Sequence, residues 1–345
     1  MSTRFRWGVA GVGRHTRQYL IPAIAASDEG ELAALITSNS DSAARFAEPW
    51  GTPQIYATLD DALTTASIDG ILLSTPNHVH REQVLAAAAV GIHVLCEKPL
   101  ATTLEDAAEM VRACRDAGVT LGTGFHLRHN LVHRRARDLI REGRIGDIRF
   151  ASVRYAHRTA PHPPTAATPR RDIPPVAPWR RDPSISGGGA FVSTGSHAID
   201  LLRFLTGAEV VDVHARGDAV TPAEVNLAFV AGLTGDAIAV VQAGEIAFPE
   251  NETTISGTKG TIVCRGSVGN AGTGTLALIT AAGEETFAPA LHDVYVGECD
   301  SFVRAVRDGR PADASGLDGL RAQEVIDAVY TSAERGTRVS VTQQD

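Results

Sequence analysis

The first third of the chain alternates short apolar runs with longer segments that have helical spacing. The apolar runs have the length of buried strands, and they lie at residues 5–10, 31–37, around 55, 69–74, 92–96 and 119–124. The segments between them predict helices at residues 20–26, 40–50, 59–66, 77–90 and 104–117. Because such alternation requires right-handed crossovers, it predicts a doubly wound parallel α/β sheet with helices on both faces.

From residue 125 onward the pattern changes to alternating or β-branched runs separated by glycine-bearing turns. Strands are predicted at residues 148–155, 210–215, 225–230, 237–243, 253–256, 261–264 and 276–280. Helices are predicted at residues 131–142, 189–205, 295–307 and 317–334. This is typical of an α+β domain in which a strand meander carries an inserted helix, so we predict two domains, residues 1–124 and residues 125–345.

The stretch at residues 159–183 is rich in proline and arginine. Proline lacks a backbone donor, so we predict no regular element here. A loop of this length is more typical of a lid or a binding loop than of a plain connection.

Composition narrows the class of protein. Of the 345 residues, 43% are hydrophobic and 21% charged, as in a globular protein, and the formal charge of −8 argues against nucleic-acid binding. No apolar stretch approaches the roughly 20 residues that span a bilayer, and the N-terminus has no secretory signal, so we expect a cytoplasmic protein without a membrane contact. The scattered cysteines (Cys96, Cys114, Cys264 and Cys299) lack metal-ligand spacing, so we expect reduced, buried thiols and no metal site.

A glycine turn follows the first predicted strand. In the GxGxxG register its residues are Gly11, Val12, Gly13 and Arg14, and Thr16 takes the third glycine position. Gly11 permits the tight turn, Gly13 lets the backbone approach a pyrophosphate, and the next helix directs its N–H groups at that anion. Thr16 departs from the strict motif and suggests looser packing of helix on strand. The alternative is an ordinary glycine-rich turn.

The residues at the end of the second strand indicate whether the bound ribose has a 2′-hydroxyl, as in NAD, or a 2′-phosphate, as in NADP. NAD enzymes usually place a carboxylate there, but this chain has Ser38, Asn39 and Ser40, with no acid before Asp41. Without that charge a 2′-phosphate is not repelled, and Arg14 could add a positive charge. We therefore favour NADP over NAD. The alternative is that these residues only cap the next helix, and that Asp41 binds a ribose hydroxyl.

The tripeptide Glu97-Lys98-Pro99 ends a buried apolar run. Charge at that depth is costly without a ligand or a partner, and the carboxyl ends of parallel strands are where ligands bind. Lys98 is therefore a candidate proton donor facing a bound cofactor. The alternative is a structural ion pair between Lys98 and Glu97.

Several segments resemble the glucose–fructose oxidoreductase / inositol dehydrogenase / MocA family. They read STPNHVH at 74–80, EKPL at 97–100, SGGGAFVSTGSHAID at 186–200 and GTKG at 257–260. The resemblance implies an N-terminal Rossmann domain and a C-terminal domain with a large, mostly antiparallel sheet. It also implies an NAD(P)-dependent oxidoreductase whose partner is a small carbohydrate, cyclitol or related polyol. The free face of that sheet implies a homodimer or a homotetramer.

The resemblance also implies roles for single residues. Lys98 would lie near the nicotinamide with a pKa lowered toward neutrality, Pro99 would carry the family's unusual turn and a cis bond, and His197 would be the second catalytic group. Cofactor contacts are expected from the end of the fourth strand and from the EKP segment, at Thr75, Pro76, Asn77, His80, Glu97 and Lys98.

Substrate contacts are expected from Lys98, Arg128, Trp179, Arg180, Ser193 and His197. Arg128 either contacts substrate or forms a surface salt bridge, and Trp179 with Arg180 either walls the pocket or packs in the core. Ser193 stands where many family members have an aspartate, one turn before His197, so their aspartate–histidine relay is absent here. Asp200 either orients His197 or belongs to a polar network.

Three hypotheses for the function remain open at this point. The first is an NAD(P)-dependent oxidoreductase that acts on CH–OH groups of a sugar, a sugar derivative or a cyclitol. The second is a glycosidase of the same family that uses tightly held NAD for transient oxidation. The third is a non-catalytic nucleotide-sensing protein, which Ser193 favours and Lys98 disfavours.

Overall fold

The computed structural model describes residues 4–51, 53–157, 178–218, 224–245 and 251–344, and the chain divides into two compact units. The first comprises Met1–Gly124, His162–Ser186 and Tyr295–Leu320, and the second comprises Phe125–Pro161, Gly187–Val294 and Arg321–Asp345. The division into residues 1–124 and 125–345 stays a prediction. By contacts, two later segments of the chain belong with the first unit.

The first unit contains a parallel sheet of six described strands in the order β3-β2-β1-β4-β5-β6. Its strands are β1 (Phe5–Ala10), β2 (Gly30–Ile36), β3 (Gln54–Tyr56), β4 (Gly70–Leu73), β5 (His93–Cys96) and β6 (Leu121–Thr123). This confirms the predicted doubly wound sheet. The strand order reverses between β1 and β4, and ligands of open α/β sheets bind at the carboxyl ends of the strands beside such a point.

Helices follow the strands of this sheet. They are α1 (Ile21–Ala26), preceded by a π-helical turn (Thr16–Leu20), α2 (Ser40–Ala47), α3 (Leu59–Thr65), α4 (His80–Ala89) and α5 (Leu104–Asp116). Asn39, Thr58 and Thr103 each accept a backbone N–H at the start of a helix. These caps satisfy donors that have no partner within the helix.

The rest of the chain supplies the second sheet and the closing helices. The elements are α6 (Leu131–Arg141), β7 (Ile148–His157), α7 (Pro183–Ser186), α8 (Ala190–Thr206), β8 (Val210–Gly217), β9 (Asn226–Leu233), β10 (Ile238–Glu245), β11 (Glu252–Gly257), β12 (Gly260–Arg265), β13 (Thr275–Thr280), β14 (Gly283–Phe287), α9 (Val294–Arg307), α10 (Gly316–Arg335) and β15 (Val339–Ser340). The described strands of this sheet run β14-β13-β12-β11-β7-β10-β9-β8-β15.

The second sheet is mostly antiparallel, as predicted, but it is not a simple meander. Strand β7 lies between β10 and β11 and pairs with β10 in parallel. Helix α8, which follows β7 in the chain, packs on β7 and β10. The helix therefore covers the middle of the sheet, where its own side chains are almost all buried.

Part of helix α9 belongs to the core of the first unit. The ring of Phe302 lies 5.3 Å from that of Trp7 and 6.4 Å from that of Phe5. All three side chains are buried. Residues near the C-terminus therefore complete the hydrophobic core of the N-terminal sheet.

The end of the proline-rich stretch is helical, which corrects the prediction of no regular element. Pro178–Arg181 forms a 3₁₀ turn and α7 follows at Pro183–Ser186. Each helical turn begins with a proline. At this first position a backbone N–H would have no partner within the helix, so proline is tolerated there. The earlier part of the stretch, residues 159–177, lies outside the described residues.

The predicted thiols are buried and reduced. Cys96, Cys114, Cys264 and Cys299 are all free, and burial raises the pKa of Cys114 and of Cys264 to about 12. In the parts of the chain that the structure describes, no helix combines the length and the apolar character needed to cross a bilayer. Across those same ranges, no group of three or more His, Cys, Asp or Glu side chains could hold a metal ion.

Candidate active site

The glycine turn after β1 has the shape that a pyrophosphate needs. Gly11 has a φ of +85°, and a Cβ there would collide with the backbone carbonyl of Ser74, so glycine is required. Gly13 is exposed, and no atom lies within 4 Å of the position its Cβ would take. The open side of Gly13 therefore fits a dinucleotide phosphate, and Arg14 begins the helical residues that follow.

Thr16 closes this turn from the helix side. Its side chain is fully buried, and its hydroxyl donates to the carbonyl oxygen of Gly11 at 2.5 Å. The helix widens to a π-helical turn at this residue. The threonine in the third glycine position thus fixes the turn through a hydrogen bond and accompanies a local change in helix geometry.

The strand-end residues expected at the ribose are on the surface. Ser38, Asn39 and Ser40 are all exposed. The Asn39 side chain accepts the backbone N–H of Ser42 at 3.2 Å, so its oxygen caps α2. Sequence reasoning missed Arg17, which is buried and donates to the carbonyl oxygen of Val12 at 3.0 Å and to Oγ of Ser42 at 2.8 Å.

Lys98 follows β5 at the carboxyl edge of the parallel sheet and is partly buried. The Lys98–Pro99 peptide bond is cis. Burial is the largest cause that lowers the pKa of Lys98 to about 8, against the raising effect of the Glu97 carboxylate. Arg180 lowers this pKa further, and Glu298 raises it. An amine with this pKa can give or take a proton near neutral pH.

Glu97 holds its carboxylate beside Lys98. One oxygen, Oε2, accepts the backbone N–H of Lys98 at 3.2 Å, and the other, Oε1, lies 3.1 Å from Nε2 of His15. A Cβ at Gly124 would lie 3.1 Å from the Glu97 carboxyl carbon, which leaves little room for a larger residue. Sequence reasoning missed His15, although it lies two residues after Gly13.

Two of the residues expected at the cofactor, His80 and Asn77, contact the protein itself, and their contact with a cofactor stays a prediction. His80 is fully buried, and its ring nitrogens face backbone carbonyl oxygens, with Nε2 at 3.2 Å from that of Thr75 and Nδ1 at 3.1 Å from that of Pro99. The ring therefore lies between the chain segments that follow β4 and β5. Asn77 is also buried, and its side-chain nitrogen donates to the Ser186 carbonyl at 2.7 Å.

Thr75 borders the glycine turn, because its backbone nitrogen lies 2.9 Å from the position a Cβ on Gly11 would take, whereas the cofactor contact of Pro76 stays a prediction. Trp179 and Arg180 form a cation–π pair, with the guanidinium carbon 4.8 Å from the ring centroid. Since the charge of Arg180 acts on Lys98, this part of the chain lies within electrostatic reach of the lysine. Their contact with substrate stays a prediction.

In the second unit, His197 lies on α8 in an aromatic environment. Its ring centroid is 4.7 Å from that of His126, 5.8 Å from that of Tyr155 and 6.0 Å from that of Phe125. His197 is 3% exposed. Ser193, one turn earlier, is partly buried on the same helix. Sequence reasoning did not single out His126 or Tyr155.

The glycine-rich start of α8 serves the packing of the protein itself. A Cβ at Gly188 would collide with the Tyr330 hydroxyl, and one at Gly189 with Glu224. The Glu224 carboxylate accepts the Phe191 N–H at 2.9 Å and so caps the helix, where the helix dipole favours negative charge. These glycines are therefore required by the close approach of Tyr330 and Glu224.

Arg128 and Asp200 form a buried ion pair, which corrects the alternative of a surface salt bridge, whereas contact of Arg128 with substrate stays a prediction. Nη2 of Arg128 lies 2.6 Å from Oδ1 of Asp200, and Nε lies 2.9 Å from Oδ2. Their side chains are 6% and 1% exposed. Asp200 therefore belongs to a polar network, one of the two roles left open from the sequence.

The fold and the residues of the site together indicate a class of protein. A doubly wound sheet, a glycine turn open to a pyrophosphate and a lysine of lowered pKa at the strand ends are typical of a dinucleotide-dependent oxidoreductase. The family model "Oxidoreductase family, NAD-binding Rossmann fold" matches residues 5–125, and the "GFO/IDH/MocA C-terminal domain" model matches residues 133–263. The chain belongs to the GFO/IDH/MocA family of NAD(P)-dependent oxidoreductases, which confirms the resemblance.

Relatives match along almost the whole chain. The chain is 33% identical over 343 residues to 1,5-anhydro-D-fructose reductase of Ensifer adhaerens, with 97% of this chain and 98% of that protein covered. It is 29% identical over 340 residues to D-xylose 1-dehydrogenase (NADP(+)) 2 of Haloferax volcanii, with 97% and 98% covered. The structure of aldose-aldose oxidoreductase from Caulobacter crescentus complexed with glycerol is similar, with a TM-score of 0.85, 25% identity, and 98% of this chain and 100% of that one covered.

Proposed function

We propose that this protein interconverts a CH–OH group and a carbonyl on a cyclic sugar, a sugar derivative or a cyclitol. The observation that carries the proposal is Lys98, partly buried at the carboxyl end of β5 with a pKa lowered to about 8. When bound, a nicotinamide would supply the hydride acceptor for oxidation and the hydride donor for reduction. Nζ of Lys98 takes the hydroxyl proton in oxidation and gives it back in reduction.

His197 is proposed as the second group that acts on the substrate. Its burial among Phe125, His126 and Tyr155 supports a defined ring orientation. Because Ser193 has no negative charge, it stabilises the protonated imidazole less than an aspartate would. We therefore assign substrate positioning to His197, and the main proton transfer to Lys98.

The function is tested by mixing purified protein with NADPH or NADH and a set of carbonyl sugars. We include 1,5-anhydro-D-fructose for reduction, and D-xylose and myo-inositol with NADP⁺ or NAD⁺ for oxidation. Nucleotide absorbance at 340 nm, a property of the reduced nicotinamide, reports turnover. Oxidation or reduction of at least one cyclic substrate at a rate that saturates with concentration is the expected result. Failure on the whole set, with nucleotide bound, would reject the proposal.

NADP is the proposed coenzyme. Supporting this, Ser38, Asn39 and Ser40 at the end of β2 are exposed, and the first acid, Asp41, is an exposed residue of α2. Serine hydroxyls and backbone N–H groups suit a phosphate, whereas a carboxylate at the strand end suits a 2′-hydroxyl.

A single substitution tests this preference. Ser38→Asp is expected to raise KM for NADPH relative to NADH by about tenfold or more, since like charges repel at close range. Ser38→Asn has nearly the shape of the aspartate without its charge, so it should preserve the ratio. Steady-state kinetics with both nucleotides measure the effect. An unchanged ratio in Ser38→Asp would place the 2′-position elsewhere.

We also propose that the face of the second sheet that points away from α8 joins copies of the chain. Phe150 and Ile238 are direct neighbours on β7 and β10, and they are 60% and 44% exposed. Val230 on β9 lies opposite Val240 on β10 and is 49% exposed. A contiguous apolar face of this kind is typical of an interaction surface.

Charge on that face should separate the copies. The double variant Phe150→Glu/Ile238→Lys is expected to sediment as a monomer, whereas the wild type sediments as a dimer or tetramer. Val339→Lys, on the edge strand β15, is a control outside the face. A wild type that sediments as a monomer at micromolar concentration would reject the proposed assembly.

A further inference from the structure

Glu97 places a carboxylate between a histidine and the proposed proton-transfer lysine. Its Oε1 lies 3.1 Å from Nε2 of His15, and its Oε2 accepts the Lys98 backbone N–H at 3.2 Å. The side chains of His15 and Glu97 are only 23% and 12% exposed. Water therefore competes weakly for the contact between them.

Two tyrosines hold the imidazole of His15. Its ring centroid lies 5.2 Å from that of Tyr19 and 5.4 Å from that of Tyr295, and the two tyrosine rings stack at 5.0 Å. Aromatic contacts of this kind restrict the orientation of a ring. The packing therefore keeps Nε2 of His15 directed at Glu97.

We infer that His15 is a positioning residue that acts on Lys98 through Glu97. The Nε2–H group donates to one carboxylate oxygen, so the carboxylate stays beside Lys98 instead of turning toward water. A negative charge held there stabilises the ammonium form of the lysine. For its effect on turnover the inference rests on the proposed function, whereas its effect on the protonation of Lys98 does not.

Other charges act on the same lysine. Burial is the strongest influence and lowers the pKa of Lys98, Glu97 raises it, Arg180 lowers it and Glu298 raises it. These effects together leave the pKa at about 8. If His15 no longer held Glu97, burial and Arg180 would be less opposed, and the lysine would lose its proton at a lower pH.

The chain permits a direct measurement, because Lys98 and Lys259 are its only lysines. Reductive methylation with ¹³C-formaldehyde labels these two amines and the N-terminal amine. The Lys98→Met variant identifies the Lys98 signal in the NMR spectrum. Lys259 is exposed between β11 and β12, so its signal is an internal reference for each titration.

We expect the Lys98 signal of Glu97→Gln to titrate about one pH unit or more below that of the wild type. His15→Phe keeps an aromatic ring against the tyrosines but has no donor, and it should shift the titration in the same direction. His15→Gln retains an N–H donor and should restore part of the shift. His214→Gln, at an exposed position on β8, is the matched control and should change nothing.

The double variant His15→Phe/Glu97→Gln shows whether His15 acts through Glu97 or independently of it. If His15 acts through Glu97, the double variant titrates where Glu97→Gln alone does, because the effects do not add. The inference is wrong if His15→Phe leaves the titration unchanged or raises it, or if it adds an equal shift in the Glu97→Gln background. A wild type without turnover would reject the proposed function and leave this titration valid.

Discussion

Replacing Lys98 by methionine is expected to lower kcat by about 10²–10⁴-fold, the usual contribution of a positioned acid–base group. Methionine keeps a long, apolar side chain at this position but has no proton to transfer. Nucleotide affinity should change much less than kcat, because the glycine turn at Gly11 and Gly13, where the pyrophosphate is expected, does not involve this side chain. Nicotinamide fluorescence measures the affinity, and absorbance assays measure kcat.

The second lysine provides the control for this experiment. Lys259 lies exposed between β11 and β12, so Lys259→Met removes one positive charge from an exposed surface position. It should leave kcat and nucleotide affinity as in the wild type. Full activity of Lys98→Met, or equal losses in both variants, would reject the assignment of Lys98 as the proton-transfer group.

The same lysine sets the expected pH dependence, and the sign depends on the direction of reaction. Reduction needs the ammonium form, so kcat/KM for reduction should be full below a pH of about 8 and fall as the pH rises through that value. Oxidation needs the free amine, so kcat/KM for oxidation should rise through the same pH. If kcat/KM rises with pH in both directions of reaction, or falls in both, near this pH, the role of Lys98 is contradicted.

Most of the fold could be predicted because the strands of the first unit are buried on both faces. Strand β4 reads Gly-Ile-Leu-Leu, and all four residues are buried. Strand β14 could not be predicted in this way, since it reads Gly-Glu-Glu-Thr-Phe at the sheet edge and is almost entirely exposed. A polar edge strand has the same pattern as a loop.

The order of strands in the second sheet was also beyond the sequence. Consecutive strands usually pair, which is why a meander was predicted. In the structure β7 pairs with β10 and β11, and the pairs Phe150–Ile238 and Phe150–Ser256 join residues 88 and 106 positions apart. Alternation within a strand identifies its buried face but carries no information on which strand lies beside it.

Lys98 could be predicted as a site residue, because an amine directly after a buried strand is visible in the sequence itself. A further signal was available in the composition, because only two of the 32 Lys and Arg residues are lysine, and a lysine at a strand end then points to amine chemistry. The contact of Glu97 with His15 could not be predicted, since the two are 82 residues apart. Only folding brings the end of β5 to the glycine turn.

The second large effect is expected at Arg128, whose buried pairing with Asp200 the sequence left undecided. Arg128→Met should lower the free energy of unfolding of the second unit by about 3–5 kcal/mol, because it leaves the Asp200 carboxylate buried without its partner. The side chain of Asp200 is only 1% exposed, so water cannot replace the guanidinium. Urea unfolding followed by circular dichroism measures the loss, and Arg135→Met, in an exposed pair with Glu142, is the matched control.

The double variant Arg128→Met/Asp200→Leu separates stability from substrate binding. Removing both charges leaves no unpaired group, so most of the lost stability should return, and an apolar pair of similar volume can even be more stable than the ion pair. Because the guanidinium is occupied by Asp200 through Nε and Nη2, KM for the sugar should stay near the wild-type value in this variant. A double variant that regains stability but has a much higher KM would mean that Arg128 also binds substrate, as the family resemblance implied. A KM near the wild-type value would mean that Arg128 serves to pair with Asp200 and does not bind the sugar.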